Sequence, residues 1–336
     1  MPETLFSSPP NPKAIRPQAG PQESFLSTPA DIAIAGGAAG VGKTYSLLLE
    51  AVRHSGNPGF GAVIFRREAT QIKNVGGLWD ESQTLYPFLS AEPRVSDLEW
   101  RFPSGAKVKF AHMEYEKDKL GWDGSQVPFI GFDQLEHFLG GQFWYMFSRN
   151  RSTCGVRPYI RATCNPVPDD DPTGGWLTKL IAWWIDQETG YPIWERSGVL
   201  RWFVRMGDTI YWADSAEELR TRFSDLPADD VQPKSLTFIP GLLKHNPALM
   251  KADPGYRANL LAMPYVERER LLGGNWKIKP AAGKVFNRGW FEIVDAAPVQ
   301  ARRLRAWDKA GTEGGGDVSA GVRMSTAGGI YYVEDV

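Results

Sequence analysis

The chain has 336 residues, 42% hydrophobic and 23% charged, ordinary globular proportions that exclude a disordered or fibrous polypeptide and allow two domains or one large α/β domain with an appendage. Lys and Arg number 38 against 39 Asp and Glu, a formal net charge of -1, so no global basic excess marks a nucleic-acid partner and any such contact has to come from a local basic patch. Two cysteines and four scattered histidines offer no zinc spacing, and no signal peptide or membrane-spanning run is visible, so a soluble protein of a reduced intracellular compartment is expected.

In chain order, residues 1–20 are rich in Pro and Ser and read as a flexible lead-in. Gln22 follows in Gly20-Pro21-Gln22, where a carboxamide could bond both edges of adenine or sit as an ordinary surface side chain. Residues 31–35 form a short apolar run of strand length, and residues 45–52 lack Gly and Pro and read as a helix. Between them, Gly37-Ala38-Ala39-Gly40-Val41-Gly42-Lys43-Thr44 meets every fixed position of the phosphate-loop pattern G-x-x-x-x-G-K-[ST]. Strand, Gly-rich loop and helix in that order aim backbone N–H groups and a helix N-terminus at one point, as a polyphosphate requires. Lys43 is then expected to reach the β and γ phosphates and Thr44 to ligate magnesium.

Residues 61–65 read as a second buried strand ending in Arg66-Arg67-Glu68, and cations at that end of an open α/β sheet lie near the ligand crevice. A helical stretch through Leu78, Trp79, Leu85 and Phe88 precedes a hairpin pattern at 98–102 and 106–110 around Pro103-Ser104-Gly105. The apolar run from Val127 ends in Asp133, a carboxylate suited to hold the water shell of magnesium opposite Thr44. An ATPase also needs a group to orient or deprotonate the attacking water. Gln134 follows Asp133 and can position water without accepting its proton, so Glu136 is the nearest acid.

Residues 142–151 read as a helix with an arginine-bearing end, Arg149 and Arg151. Residues 157–166 read as a strand closing on Thr163 and Asn165, which suit γ-phosphate sensing or an Asn-Pro turn. The 13 tryptophans are scattered rather than periodic and read as core and lid anchors. A hairpin is expected around Arg205-Met206-Gly207-Asp208, a helix interrupted at Pro264 over 254–272, and a linker at Gly273-Gly274-Asn275 and 280–283. After it, a basic lead runs into a strand ending in Asp308, then Asp317 and two further strands at 318–324 and 330–334, too few residues to complete a domain.

Gly20-Pro21-Gln22, the loop of residues 36–44, Phe65-Arg66-Arg67-Glu68, the strand ending in Asp133, Ser148-Arg149-Asn150-Arg151, Thr163-Cys164-Asn165-Pro166, Leu271-Leu272-Gly273-Gly274-Asn275-Trp276 and the Asp308 strand together resemble the large terminase subunit of tailed double-stranded DNA bacteriophages. This family is the ATP-driven motor and nuclease that packages the genome. The resemblance spans nearly the whole chain. It implies an α/β fold: an ASCE-type P-loop NTPase with a three-layer sheet over 21–280, with a small lid at roughly 200–276, a linker at 281–300, and the start of an RNase H-like two-metal nuclease domain at 301–336.

The resemblance also implies roles. Gln22 becomes the adenine contact, Gly37 to Thr44 the ATP grip, Asp133 the second magnesium carboxylate, Thr163 and Asn165 the coupling motif, and Asp308 and Asp317 acids of the nuclease. Gln134 stands where the family usually has its catalytic Glu, so Glu136 is expected to substitute. The phosphate loop contains no Arg, so the stabilising arginine is expected from Arg66, Arg67, Arg149 or Arg151, or from a neighbouring subunit. One or two Asp cannot hold two metal ions, so the chain is not expected to cut DNA. The implied activity is ATP hydrolysis with Mg2+ coupled to translocation of double-stranded DNA, in the bacterial cytoplasm. The implied partners are the portal protein, the small terminase subunit and a homo-oligomeric ring, a pentamer, on the procapsid, with no membrane. A helicase-like nucleic-acid ATPase and a nucleotide-binding structural subunit with weak hydrolysis are the alternatives.

Overall fold

The computed structural model describes residues 15–278, 292–308 and 320–335, which fall into two compact units, Met1–Lys279 and Pro280–Val336. In the first unit, α1 (Pro21–Ser27) leads into β1 (Ile32–Gly37), α2 (Lys43–Ala51) and β2 (Gly61–Arg66). Two short helices, α3 (Ala69–Lys73) and α4 (Leu78–Gln83), precede β3 (Glu92–Arg94), β4 (Glu99–Arg101) and β5 (Lys107–His112). Then come β6 (Phe129–Phe132), α5 (Gly140–Arg149), β7 (Tyr159–Cys164) and α6 (Gly175–Leu180). The chain continues through β8 (Arg201–Met206), β9 (Thr209–Ala213), α7 (Ala216–Arg222) and β10 (Lys234–Gly241) to α8 (Pro247–Ala252), α9 (Tyr256–Leu261) and α10 (Tyr265–Leu271).

Ten strands make one sheet in the order β3-β4-β5-β2-β6-β7-β1-β10-β8-β9. The six central strands, β5 to β10 in that order, are parallel, and antiparallel pairs extend both edges. Parallel strands must be covered on both faces, and the period of two along each strand divides their side chains between two cores. Ile32, Ile34, Phe65, Ile130 and Phe132 pack with Phe143, Met146, Leu177 and Trp184 on one face. Ala33, Ala35, Ile64 and Phe129 pack with Phe25, Leu47, Leu48 and Trp79 on the other. The three-layer α/β fold expected from the sequence is the one observed. One strand, β7, separates the loop-bearing β1 from the Asp-bearing β6, the interposed-strand arrangement of the ASCE class. Among the described residues no helix is long and apolar enough to cross a membrane.

Three expectations are revised. Residues 200–276 do not form one separate lid: β8 and β9 extend the sheet, and β10 lies parallel to β1 in its interior, with Ile34 opposite Phe238. Within that stretch, the chain beyond β10 reaches the phosphate loop through Asn246 and Leu271. Residues 15–20 of the expected flexible lead-in are tied down, because Gln18 Nε2 donates to Asn246 Oδ1 at 2.7 Å and Gln18 Oε1 accepts from Ala248 N at 3.2 Å. Residues 1–14 lie outside the described residues.

Gly273-Gly274-Asn275 is not a linker either. Asn275 donates to Thr189 O at 3.0 Å, Trp276 N donates to Gly190 O at 2.8 Å, and the buried Trp276 ring meets Phe238 edge-on at 5.5 Å. The rest of the expected linker, 280–283, lies outside the described residues. Trp276→Ala should therefore lower stability by about 3–5 kcal/mol, the cost of emptying a large aromatic site. Urea denaturation measures it, and a loss below about 1 kcal/mol would detach this segment from the core.

In the second unit, β11 (Arg302–Asp308), β12 (Ala320–Ala327) and β13 (Ile330–Asp335) form an antiparallel sheet in that order. Gly328 and Gly329, with φ of 58° and 79°, supply the two left-handed positions that a tight hairpin requires. Arg303 and Arg323 both pair with Glu334, at 3.0 and 2.9 Å.

Candidate nucleotide site

The phosphate loop leaves β1 at the centre of the sheet and turns into α2. Gly37 (φ 121°) and Gly42 (φ 85°) adopt left-handed backbone, which favours glycine, and both approach their neighbours closely. A Cβ on Gly37 would stand 2.3 Å from Gly241 O, and one on Gly42 would stand 2.3 Å from Gln22 Nε2. Other elements hold the loop from outside. Ala38 N donates to Gly241 O at 2.9 Å, Ala39 N to Leu271 O at 2.7 Å, and Asn246 Nδ2 to Gly40 O at 2.6 Å. Among the described residues no backbone acceptor takes the N–H of Gly40, Val41 or Gly42. With the N-terminus of α2 they form an anion cradle.

Lys43 fills that cradle. Its ammonium donates to Gly37 O (3.0 Å), Ala38 O (2.6 Å) and Asn165 Oδ1 (3.0 Å). Burial pulls its pKa below the usual lysine value, opposed by the nearby Cys164, Glu136 and Asp133.

The strand tips face the loop because the register aligns them: Ala35 lies opposite Thr163, Phe132 opposite Ala162 and Phe65 opposite Phe132. Asp133, just past β6, is buried and accepts from Thr44 Oγ1 (3.1 and 3.2 Å), Thr163 Oγ1 (2.5 Å) and Arg66 Nε (2.6 Å). The next residue, Gln134, has φ 61°, a left-handed conformation uncommon for a residue with a side chain. Its N–H donates to Thr163 Oγ1 (3.1 Å) and its Oε1 accepts from Arg66 Nη1 (2.5 Å).

The reversal at Gln134 starts a short turn, Leu135–His137, that carries Glu136 back beside the loop. Glu136 Oε1 accepts from Asn165 Nδ2 at 2.7 Å, while its buried Oε2 has no hydrogen-bond partner among the described residues. Burial raises the Glu136 pKa, opposed by His137, by its hydrogen bonds and by Lys43. Asn165 thus bridges the ammonium of Lys43 and the carboxylate of Glu136. The donor set also suits a hydrated magnesium ion, which binds protein through few oxygens and keeps phosphate and water for the rest. Thr44 Oγ1 and Asp133 would be those oxygens.

The family model described as terminase large subunit, T4likevirus-type, N-terminal, matches residues 34–293, well over half of the chain. The chain belongs to the terminase large subunit family. Among solved structures, the large terminase of a thermophilic bacteriophage aligns with a TM-score of 0.50 at 11% identity, over 95% of this chain and 69% of that one. A form of that terminase in complex with ADP gives 0.47 at 11%, over the same 95% and 69%. The large terminase of bacteriophage HK97 gives 0.42 at 16%, over 93% of this chain and 61% of that one. At such identities the likeness concerns the fold. No curated protein matches the sequence.

In this terminase chain the cluster gathers Lys43, Thr44, Arg66, Asp133, Gln134, Glu136, Thr163 and Asn165. Gln22 stands behind the loop, with both ends of its carboxamide engaged: Nε2 donates to Val41 O at 3.1 Å and Oε1 accepts from Gln18 N at 2.9 Å. It braces the loop. Arg67 turns aside to Gln142 Oε1 at 3.0 Å.

Arg149 and Arg151, expected as possible stabilising arginines, lie at the other end of the sheet. Helix α5 runs back along β6, so Arg149 O accepts from Val127 N at 3.1 Å, and Arg151 donates to Ser125 O and Gly124 O at 3.3 and 3.2 Å. The six residue steps from Val127 to Asp133 span roughly 20 Å of extended chain, beyond the reach of either side chain. Arg149 stacks on Tyr145 instead, at 5.0 Å. Of the four expected arginines, Arg66 alone reaches the cluster.

In the second unit Asp308 ends β11 exposed to solvent, and Asp317 lies outside the described residues. Among the described residues no group of three or more His, Cys, Asp or Glu could hold a metal ion. Two contributors escaped the sequence reading. Asn246 both caps α8, accepting from Leu249 N at 3.1 Å, and holds Gly40. Its Asn-Pro pair was a visible cap signal, but its contact with the loop was not. Arg270 on α10 donates to Pro166 O at 3.1 Å, beside the strand tip that carries Asn165, and no local pattern announces that contact.

Proposed function

We propose that this chain is the ATP-hydrolysing motor subunit of a phage terminase, moving double-stranded viral DNA through the portal into a procapsid. One juxtaposition carries the reading. Lys43, Thr44 and Asp133 meet a buried Glu136 with an unpartnered oxygen, all at the same end of neighbouring parallel strands. Lys43 would exchange the loop carbonyls for the β and γ phosphate oxygens, while Thr44 and Asp133 hold Mg2+, which supplies charge neutralisation for the transferring phosphoryl group. Glu136 would accept the proton of the attacking water through Oε2, its raised pKa bringing it closer to that task at neutral pH. Gln134 would orient rather than deprotonate. The Lys43–Asn165–Glu136 chain would carry the loss of the γ-phosphate to the tip of β7, with Thr163 and Asn165 as the coupling pair.

Partners proposed on the family's behalf are DNA, the portal protein, the small terminase subunit and further copies of this chain in a ring, in the host cytoplasm. Translocation calls for a sequence-independent grip, best supplied by Lys and Arg on phosphates. ATP turnover with Mg2+ should therefore rise on adding duplex DNA, equally for unrelated sequences, and the stimulation should fall steeply with salt. Strand separation driven by ATP would move the reading to a helicase-like enzyme. The engagement of Gln134 at the usual position of the catalytic Glu favours a second reading, a nucleotide-binding structural subunit, which predicts nucleotide binding without turnover.

A further inference from the structure

We propose that Arg66 and the divalent cation exchange at Asp133. The guanidinium holds the carboxylate until the cation takes its place, and is then released toward the transferring phosphate. This inference rests on the nucleotide-site reading above. A carboxylate offers about four lone-pair directions. Three donors already converge on Asp133: Oδ1 accepts from Thr163 Oγ1 at 2.5 Å, the single Thr44 hydroxyl proton is shared between Oδ1 and Oδ2 at 3.1 and 3.2 Å, and Oδ2 accepts from Arg66 Nε at 2.6 Å, with Nη2 of the same guanidinium also 2.6 Å away. Arg66 and Thr44 meet at the same oxygen, Oδ2, so a cation held between Thr44 and that carboxylate would come up against the guanidinium. Its side chain is only 13% exposed and that of Asp133 only 1%, so solvent does little to screen a second positive charge brought to the same carboxylate. Guanidinium and metal therefore compete.

The tether makes the release productive. Arg66 is the last residue of β2, its carbonyl accepting from Met113 N at 3.3 Å, so the backbone stays in the sheet while the side chain swings. Its other anchor, Gln134 Oε1, belongs to the left-handed residue that starts the Glu136 turn. Leaving Asp133 thus also frees Gln134 to face the water. A loop with no arginine of its own would receive one only when the metal is in place.

The exchange separates from a structural ion pair by the sign of one effect. A pair that merely builds the site would, once broken, weaken metal-dependent nucleotide binding. Under exchange, Arg66→Ala removes a competitor. The Mg2+ concentration at half-maximal binding of an ATP analogue, followed by calorimetric titration of the full chain, should fall several-fold, while turnover drops by about a hundredfold or more as a phosphoryl-transfer arginine is lost. Arg66→Lys keeps a charge without the fork and should fall between the two; it carries the same ranking if the Ala variant does not fold. An unchanged or raised Mg2+ midpoint in a folded variant, with the native chain binding normally, overturns the exchange alone. Absence of Mg2+-dependent nucleotide binding in the native chain overturns both the exchange and the site reading.

Discussion

Lys43→Ala abolishes ATP turnover, with kcat lower by about a hundred- to a thousandfold or more, the scale for removing one preorganised donor to developing charge, while the folded state survives. The structure supports both halves. Among the described residues the ammonium is the side-chain cation inside the cradle, held by Gly37 O, Ala38 O and Asn165 Oδ1, and alanine offers no donor to replace it. Loss of those bonds costs on the order of 1–3 kcal/mol, but burial already works against the charge, so its removal returns part of that cost. Phosphate release and circular dichroism on the same preparation provide the check. A folded variant with undiminished turnover removes the nucleotide assignment.

Glu136→Gln should have the second largest effect, and in two directions. As the proposed base, Glu136 loses its proton-accepting oxygen, and turnover should fall by about a hundred- to ten-thousandfold while nucleotide binding persists. Stability should move the other way. The pKa of Glu136 is raised by burial, so the folded chain holds this proton more tightly than the unfolded chain does. The associated stability is fully present below the unfolded pKa of about 4.3 and is lost as pH rises through the folded value. At neutral pH the buried charge is therefore a cost, and Gln relieves it. The variant should melt higher than the native chain at pH 7, and this advantage should vanish as pH falls below the ordinary Glu range. Turnover of the native chain should rise with pH through the raised Glu136 range. Melting curves at several pH values, read beside turnover, test the assignment; equal turnover in both proteins moves the base elsewhere. Binding without turnover in either would favour the structural-subunit reading.

How much of this was legible beforehand follows from the range over which each signal acts. The phosphate loop, its strand and helix, the apolar run ending in Asp133 and the polar tip at Thr163 and Asn165 are contiguous patterns, and each folds as its periodicity and turn chemistry indicate. The position of β10 was missed because its burial depends on pairing with β1, just over two hundred residues earlier in the chain, and no local period distinguishes a central parallel strand from part of a lid. The same limit applied to the ends of the unit. Gln18 and Trp276 lie beside Pro-rich or Gly-rich stretches that look like punctuation, and their partners Asn246 and Phe238 are remote in sequence.

The site divides along that line. The sequence alone determined that a strand, a Gly-rich loop and a helix would build an anion cradle around Lys43 and Thr44, because three glycines and the Lys-Thr pair dictate local backbone and chemistry. Tertiary structure decided which remote groups complete it. It brought Arg66 to Asp133 and left Arg149 and Arg151 at the opposite end of the sheet, because a helix returning along a parallel strand carries its C-terminus away from the strand tip. It turned Gln22 into a brace behind the loop. And through the left-handed backbone at Gln134 it carried Glu136, rather than its neighbour, to Asn165 and the buried end of Lys43. Strand order and register, which set those distances, are products of long-range pairing and packing rather than of any local motif.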